Sequence, residues 1–290
     1  MTMDNFVTFY QYFLSHRDDF DALLFDVDGT LSSGGKALPG AKELLEYLEK
    51  IKFPYLLLTN DAGNSQAQKA AILNRAGLPV SEERVLASGN ALSWWSKHYD
   101  CTGKLFFQYG KLGTPSFARL AGIDVTNDPE RIGECSGVIA GEGYFDWQIP
   151  VESAFNLLLK HPEYPFIVPN PDCYWPSLKF NGMGFGSGAL AKLLQLVLKE
   201  AGKDVTPVYL GKPYAPIYQC VLDFLKGSYP GQTFTSPARI AMIGDSLSSD
   251  IAGANANGFT SVLVLSGITD MEAVRNAENN KKPSLIFRSV

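Results

Sequence analysis

An α/β fold built on a parallel sheet, with a second α/β unit inserted into it, is predicted for this chain of 290 residues. Three observations predict it. Short apolar runs alternate with amphipathic helical stretches from Ala22 onward, these runs stop abruptly in polar turns, and a middle section rich in Gly, Pro and aromatics breaks the alternation before Val208. With 46% hydrophobic and 19% charged residues the chain can bury a sizeable core.

The N-terminal run places Phe6, Phe9, Tyr10, Phe13 and Leu14 on one helical face, with Asp4 or Asn5 available as N-cap. It has no basic flank and contains Thr8 and Gln11, so it does not read as a signal sequence. Ala22 to Phe25 is a buried strand that stops at Asp26-Val27-Asp28-Gly29-Thr30. A helix from about Pro39 follows, carrying Leu44, Leu45, Leu48 and Ile51 on one face, with Glu46 four residues before Lys50. Tyr55 to Leu58 is a second strand, ending in Thr59-Asn60-Asp61. The next helix opens at Ser65, with Gln68 in capping-box position, and closes at Gly77. Val85 to Ala87 is a weaker strand, and Ala91 to Lys97 a further helix.

From Cys101 to about Thr206 the pattern gives strands at Lys104 to Gln108, Gly137 to Ala140 and Phe166 to Val168. Helices fall near Ser116 to Ala121, Val151 to Leu159 and Ser187 to Ala201. The first unit is expected to resume with Val208 to Leu210, a helix from about Pro216 to Lys226, and strands at Ile240 to Ile243 and Val262 to Leu265.

Composition narrows the function classes. Twenty-five basic residues against thirty acidic ones give a net charge of −5, which argues against a surface that neutralises nucleic acid or anionic lipid. No stretch reaches the roughly 20 apolar residues of a membrane span. Cys101, Cys135, Cys173 and Cys220 form no Cys-x-x-Cys pair, and reduced thiols in a cytoplasmic protein are the expectation.

The chemistry gathers at strand ends, where open α/β sheets bind ligands. Asp26 and Asp28 are two carboxylates that repel each other, a cost that a metal or a proton relieves. One such aspartate can attack phosphorus while the second protonates the leaving oxygen and later activates water. Gly29 permits close backbone approach to a phosphate, and turn N–H groups there suit an anion nest. Gly244-Asp245-Ser246-Leu247-Ser248-Ser249-Asp250 follows another apolar strand and adds two acids at the same sheet edge if the two strands are parallel neighbours, where convergent carboxylates demand a cation; a turn with the N-cap of the following helix is the alternative. An oxygen-only set selects Mg²⁺ over zinc. Thr59 and Asn60 are placed to hold phosphate oxygens, and Lys212 supplies a compact positive charge. Asn170 and Asp172 are candidates to face a leaving group, with a Pro-rich turn braced by their side chains as the alternative.

In this order the segments Asp26-Val27-Asp28-Gly29-Thr30, Thr59-Asn60, Lys212 and Gly244-Asp245 through Asp250 resemble the haloacid dehalogenase (HAD)-like hydrolase superfamily. The long insertion before Gly211-Lys212-Pro213 looks like class IIA, whose large α/β cap is found in sugar and nucleotide phosphatases. The resemblance runs from Phe20 to the end and implies a HAD-like Rossmannoid core at 1–100 and 207–290, with the cap at 101–206. It implies Asp26 as nucleophile and Mg²⁺ ligand, Asp28 as general acid/base and backbone ligand, Asp245 as third ligand, and Asp250 as orienter behind it. It further implies phosphate binding by Thr59 and Asn60 and charge stabilisation by Lys212.

The expected function is a Mg²⁺-dependent phosphatase acting through an aspartyl-phosphate on a small phosphorylated metabolite, with no nucleic-acid or membrane partner. Exposed cap aromatics would also suit a homodimer. A catalytically silent phosphometabolite-binding protein and a phosphotransferase are the alternatives.

Overall fold

The structure is a computed structural model that describes residues 8–177 and 182–290. It forms two compact units: the chain up to Thr59 with Lys69–Leu86 and Val221–Val290, and Asn60–Gln68 with Ala87–Cys220.

The first unit is built on a six-stranded sheet in the order Leu285–Phe287, Thr260–Val264, Ile240–Gly244, Ala22–Phe25, Tyr55–Thr59, Val85–Ala87. Its pairings from Leu285–Phe287 across to Tyr55–Thr59 are parallel. The four residues of Ala22–Phe25 and the five each of Tyr55–Thr59 and Ile240–Gly244 are all buried, as strands covered on both faces must be. From Ala22–Phe25 the chain builds outward to Tyr55–Thr59 and Val85–Ala87; from Ile240–Gly244 it builds the other way. The boundary between these two central strands is therefore a topological switch point, the place where open α/β sheets bind ligands.

Helix Phe9–His16 joins this unit through aromatic packing. Its N-cap is Thr8, whose hydroxyl accepts from the Gln11 N–H while the Gln11 side chain accepts from the Thr8 N–H. This corrects the expectation of Asp4 or Asn5, which lie with Phe6 outside the described residues. Phe9 and Phe13 are buried but Leu14 is exposed, so the apolar face is narrower than the spacing implied. The Phe9 ring meets those of Phe13, Phe20, Phe25 and Phe287 at centroid distances between 5.6 and 6.3 Å. The helix thus docks on the strand that carries Asp26.

Helix Gln66–Arg75 starts as read: the Gln68 N–H donates to Ser65 Oγ and the Ser65 N–H to Gln68 Oε1. On helix Ala41–Lys50 the ion pair formed is Lys42 with Glu46, not Glu46 with Lys50.

The second unit carries a five-stranded parallel sheet in the order Val208–Tyr209, Phe166–Val168, Val138–Ala140, Leu105–Tyr109, Asp124–Thr126. Val208–Tyr209 is thus an edge strand of the inserted sheet, pairing Val208 with Ile167, whereas the sequence pattern returned it to the first unit. A two-residue apolar run reports burial but not which sheet edge supplies its hydrogen bonds. Helix Ala91–His98 likewise belongs to the second unit, since its Trp95 ring sits 6.4 Å from Phe106. Strands Asp124–Thr126 and Leu285–Phe287 were not anticipated, because each is a short, partly exposed edge. Among the described residues no helix is long and apolar enough to cross a membrane.

Because Phe9 fills the junction of helix and sheet, Phe9→Ala should cost about 3–5 kcal/mol of unfolding free energy. Denaturant melts of parent and variant measure this, and a change within error would show that the helix is not docked as described.

Candidate active site

Asp26 directly follows strand Ala22–Phe25, and Asp245 directly follows Ile240–Gly244. The register pairs Phe25 with Ile243, and the Asp26 N–H donates to the Ile243 carbonyl at 2.8 Å, so both acids leave the sheet at the switch point. Asp250 arrives from the turn of helix at Leu247–Ile251, capped by the Ser246 hydroxyl. Ligand atoms of Asp26, Asp245 and Asp250 all lie within 4.8 Å of one another, with Asp245 and Asp250 buried.

The surroundings are built to admit these acids. Asp245 Oδ2 accepts from the Ile268 N–H at 2.8 Å, and Asp250 Oδ2 from the Ser246 N–H at 3.0 Å. Gly29 has φ +91°, and a Cβ at Gly29 or at Gly267 would collide with the Asp245 carboxylate. Gly29 therefore makes room for an acid. Its own N–H donates to the Ser32 carbonyl at 2.7 Å, so that donor is committed to the turn rather than to an anion nest.

The Asp28 carboxylate is not one of the clustered three. It forms an ion pair with Lys69, Nζ to Oδ2 at 3.2 Å. Thr59, buried at the end of its strand, lies two residues beyond the Leu57–Phe25 register and so reaches the same sheet edge.

In the second unit Asn60 and Lys212 are bound to each other. Asn60 Oδ1 accepts from the Lys212 N–H at 2.7 Å, and its Nδ2 donates to the Lys212 carbonyl and to Asp172 Oδ1, both at 3.0 Å. Gly211 is required beside them, because a Cβ there would crowd Asn60 Oδ1 and the Pro169 carbonyl. Asn170 Oδ1 accepts from the Asp172 N–H at 2.8 Å, so the braced turn is formed, while Asp172 reaches beyond it to Asn60.

Two residues escaped the sequence reading. Lys69 is buried, and its place four residues before buried Leu73 on one helix face was the available signal. Glu142 sits in a loop with no periodicity to mark it. Its Oε1 accepts from the Ala62 N–H at 2.6 Å, fixing the segment after Asn60. Burial pushes its carboxyl above the usual range, aided by the charges of Asp61 and Asp172 and opposed by the bonds from Ala62 and Asn170.

A parallel α/β sheet with acids clustered at its switch point, and a second α/β unit inserted in the chain, defines a class of hydrolases. Residues 23–124 match a family model described as haloacid dehalogenase-like hydrolase, and residues 209–290 match a HAD-hydrolase-like model. Dihydroxyacetone phosphatase of Corynebacterium glutamicum is 28% identical over 87% of this chain and 83% of its own length. Glycerol-3-phosphate phosphatase of Gallus gallus is 27% identical over 91% of this chain and 85% of its own. The solved structure of a glycerol phosphate phosphatase from Mycobacterium tuberculosis in complex with magnesium superposes with a TM-score of 0.78 at 23% identity, covering 94% of this chain and 76% of that one. The chain belongs to the haloacid dehalogenase-like hydrolases, in the group with a large inserted α/β cap.

The raised Glu142 carboxyl has a consequence for stability. The folded state keeps its proton at pH values where the unfolded chain, titrating near 4.5, has released it. That contribution is fully present below the unfolded value and is lost as the pH rises through the folded one. Glu142→Gln, which preserves an acceptor for Ala62, should therefore gain on the parent in melting temperature as the pH is raised from mildly acidic to mildly alkaline. Parallel curves would show that Glu142 titrates normally.

Proposed function

We propose that this chain is a phosphomonoester hydrolase that transfers the phosphoryl group of a small metabolite to Asp26 and then to water. The observation that carries this is the convergence of Asp26, Asp245 and Asp250 at the switch point. Three carboxylates this close are a hard-oxygen donor set that fits Mg²⁺, which Asp26, Asp245 and the Asp28 carbonyl would hold while Asp250 orients them. When bound, such an ion offsets the charge of the acids and of the phosphoryl oxygens.

The residues then divide the work. An Asp26 oxygen attacks phosphorus, the bond from phosphorus to the ester oxygen breaks, and Asp28 delivers a proton to that leaving oxygen. Water next attacks the aspartyl-phosphate, Asp28 takes its proton, and the bond from phosphorus to Asp26 breaks, returning the carboxylate and releasing phosphate. The family resemblance supports Thr59 and Asn60 as phosphate contacts and Lys212 as the group that stabilises phosphoryl charge. The paired hydrogen bonds between Asn60 and the Lys212 backbone fix these two residues against each other, as such roles require.

Relatives that act on dihydroxyacetone phosphate and glycerol 3-phosphate point to a short polyol or sugar phosphate as substrate. The presence of both Asp26 and Asp28 favours turnover over silent binding.

Purified protein should release phosphate from p-nitrophenyl phosphate with Mg²⁺, lose this with EDTA, and recover it when Mg²⁺ is restored. Asp26→Asn should lower kcat by about a thousandfold or more with no fall in melting temperature, since it removes one of three mutually repelling charges. A variant that kept the parent's rate would remove Asp26 from the nucleophile's role. Asp245→Asn should instead raise the Mg²⁺ concentration needed for half-maximal activity, read by a Mg²⁺ titration; an unchanged titration would take Asp245 out of the metal site.

A further inference from the structure

Lys69 is a buried cation for which the chemistry above has no use. Its side chain is 7% exposed, while that of Asp28, which its Nζ reaches at 3.2 Å, is 68% exposed. A surface ion pair has two mobile side chains and contributes little. Here the ammonium end is enclosed, which costs desolvation, and only the carboxylate faces the solvent. Lys69 also stands in the first turns of helix Gln66–Arg75, where the helix dipole disfavours a positive charge. An apolar side chain beside Ala70 and Leu73 would avoid both costs.

We infer that Lys69 is a positioning residue for Asp28. Resting on the phosphatase reading, this adds a member to the proposed machinery. Asp28 follows the last strand residue by three positions and lies outside the carboxylate cluster, so nothing in that cluster sets its rotamer. A free aspartate at a solvent-facing turn samples several rotamers, and proton transfer to a leaving oxygen needs one of them. The fixed ammonium holds Asp28 Oδ2 in a single place, leaving the other carboxyl oxygen to exchange a proton with the leaving group and later with water. The helix that carries Lys69 is itself anchored by its capping box, so the ammonium is placed by a rigid element.

A lysine that merely offsets neighbouring acids makes a different prediction from one that aims Asp28. Proton delivery matters most for a basic leaving group, so loss of aim should be felt with phenyl phosphate and scarcely with p-nitrophenyl phosphate, a substrate of nearly the same shape whose leaving group departs without a proton. Lys69→Met should lower kcat for phenyl phosphate by about tenfold or more, and for p-nitrophenyl phosphate by less than about threefold, with KM for both within about twofold. Lys69→Arg, which keeps the charge, should recover most of the loss, and it also carries the comparison if the methionine variant does not fold. Equal losses on the two esters, no loss on either, or a fall in melting temperature alone would overturn the inference. A parent enzyme that hydrolyses neither ester with Mg²⁺ would instead overturn the phosphatase reading. An active parent whose Lys69 variants do not separate the esters removes only the role of Lys69.

Discussion

Repulsion among Asp26, Asp245 and Asp250 is the constraint on which the rest of the first unit depends. Carboxylates whose ligand atoms lie within 4.8 Å of one another repel wherever they are ionised, and two of the three are buried. A fold tolerates this only if the backbone holds the acids there by other means and something positive offsets them. Parallel pairing of Ala22–Phe25 with Ile240–Gly244 provides the first condition, since it brings two strand ends together without involving the side chains. The Ile268 and Ser246 N–H groups meet part of the second.

The aromatic helix gains meaning from this requirement. Phe9 and Phe13 add to the core behind the strand that presents Asp26, so the strand resists the outward relaxation that repulsion would favour. Glycine serves the same end at Gly29 and Gly267, where any side chain would occupy the space that Asp245 needs. Apolar packing and small residues here stabilise an electrostatic arrangement that is unfavourable by itself. Such local conflict with the folding rules is expected at functional sites.

The second unit handles its charges differently. Asn60 engages both the N–H and the carbonyl of the Lys212 backbone and also holds Asp172, so these three residues are ordered by neutral or singly charged hydrogen bonds. Glu142 fixes the following segment through Ala62 while its carboxyl is pushed toward the neutral form. A segment held in place by such bonds needs little reorganisation to present its side chains.

Much of this was legible from residues alone. Fully buried strands such as Tyr55–Thr59 appear in a sequence as unbroken apolar runs, their polar ends stand out, and motif order identified the family. Asp26 and Asp245 stand out in the sequence because each follows an apolar run, and the structure brings them together with Asp250. What stayed hidden depends on contacts between residues distant in sequence. Val208–Tyr209 has the same appearance at the edge of either sheet, Glu142 lies in an unpatterned loop, and Asp28 is parted from the clustered acids by an ion pair 41 residues away. The sequence by itself determined the α/β class, the acids and their order along the chain, because periodicity and spacing are local properties. Only the tertiary structure decided which acids meet, which cation each one faces and which sheet each short strand joins, because those depend on register and packing that no local pattern encodes.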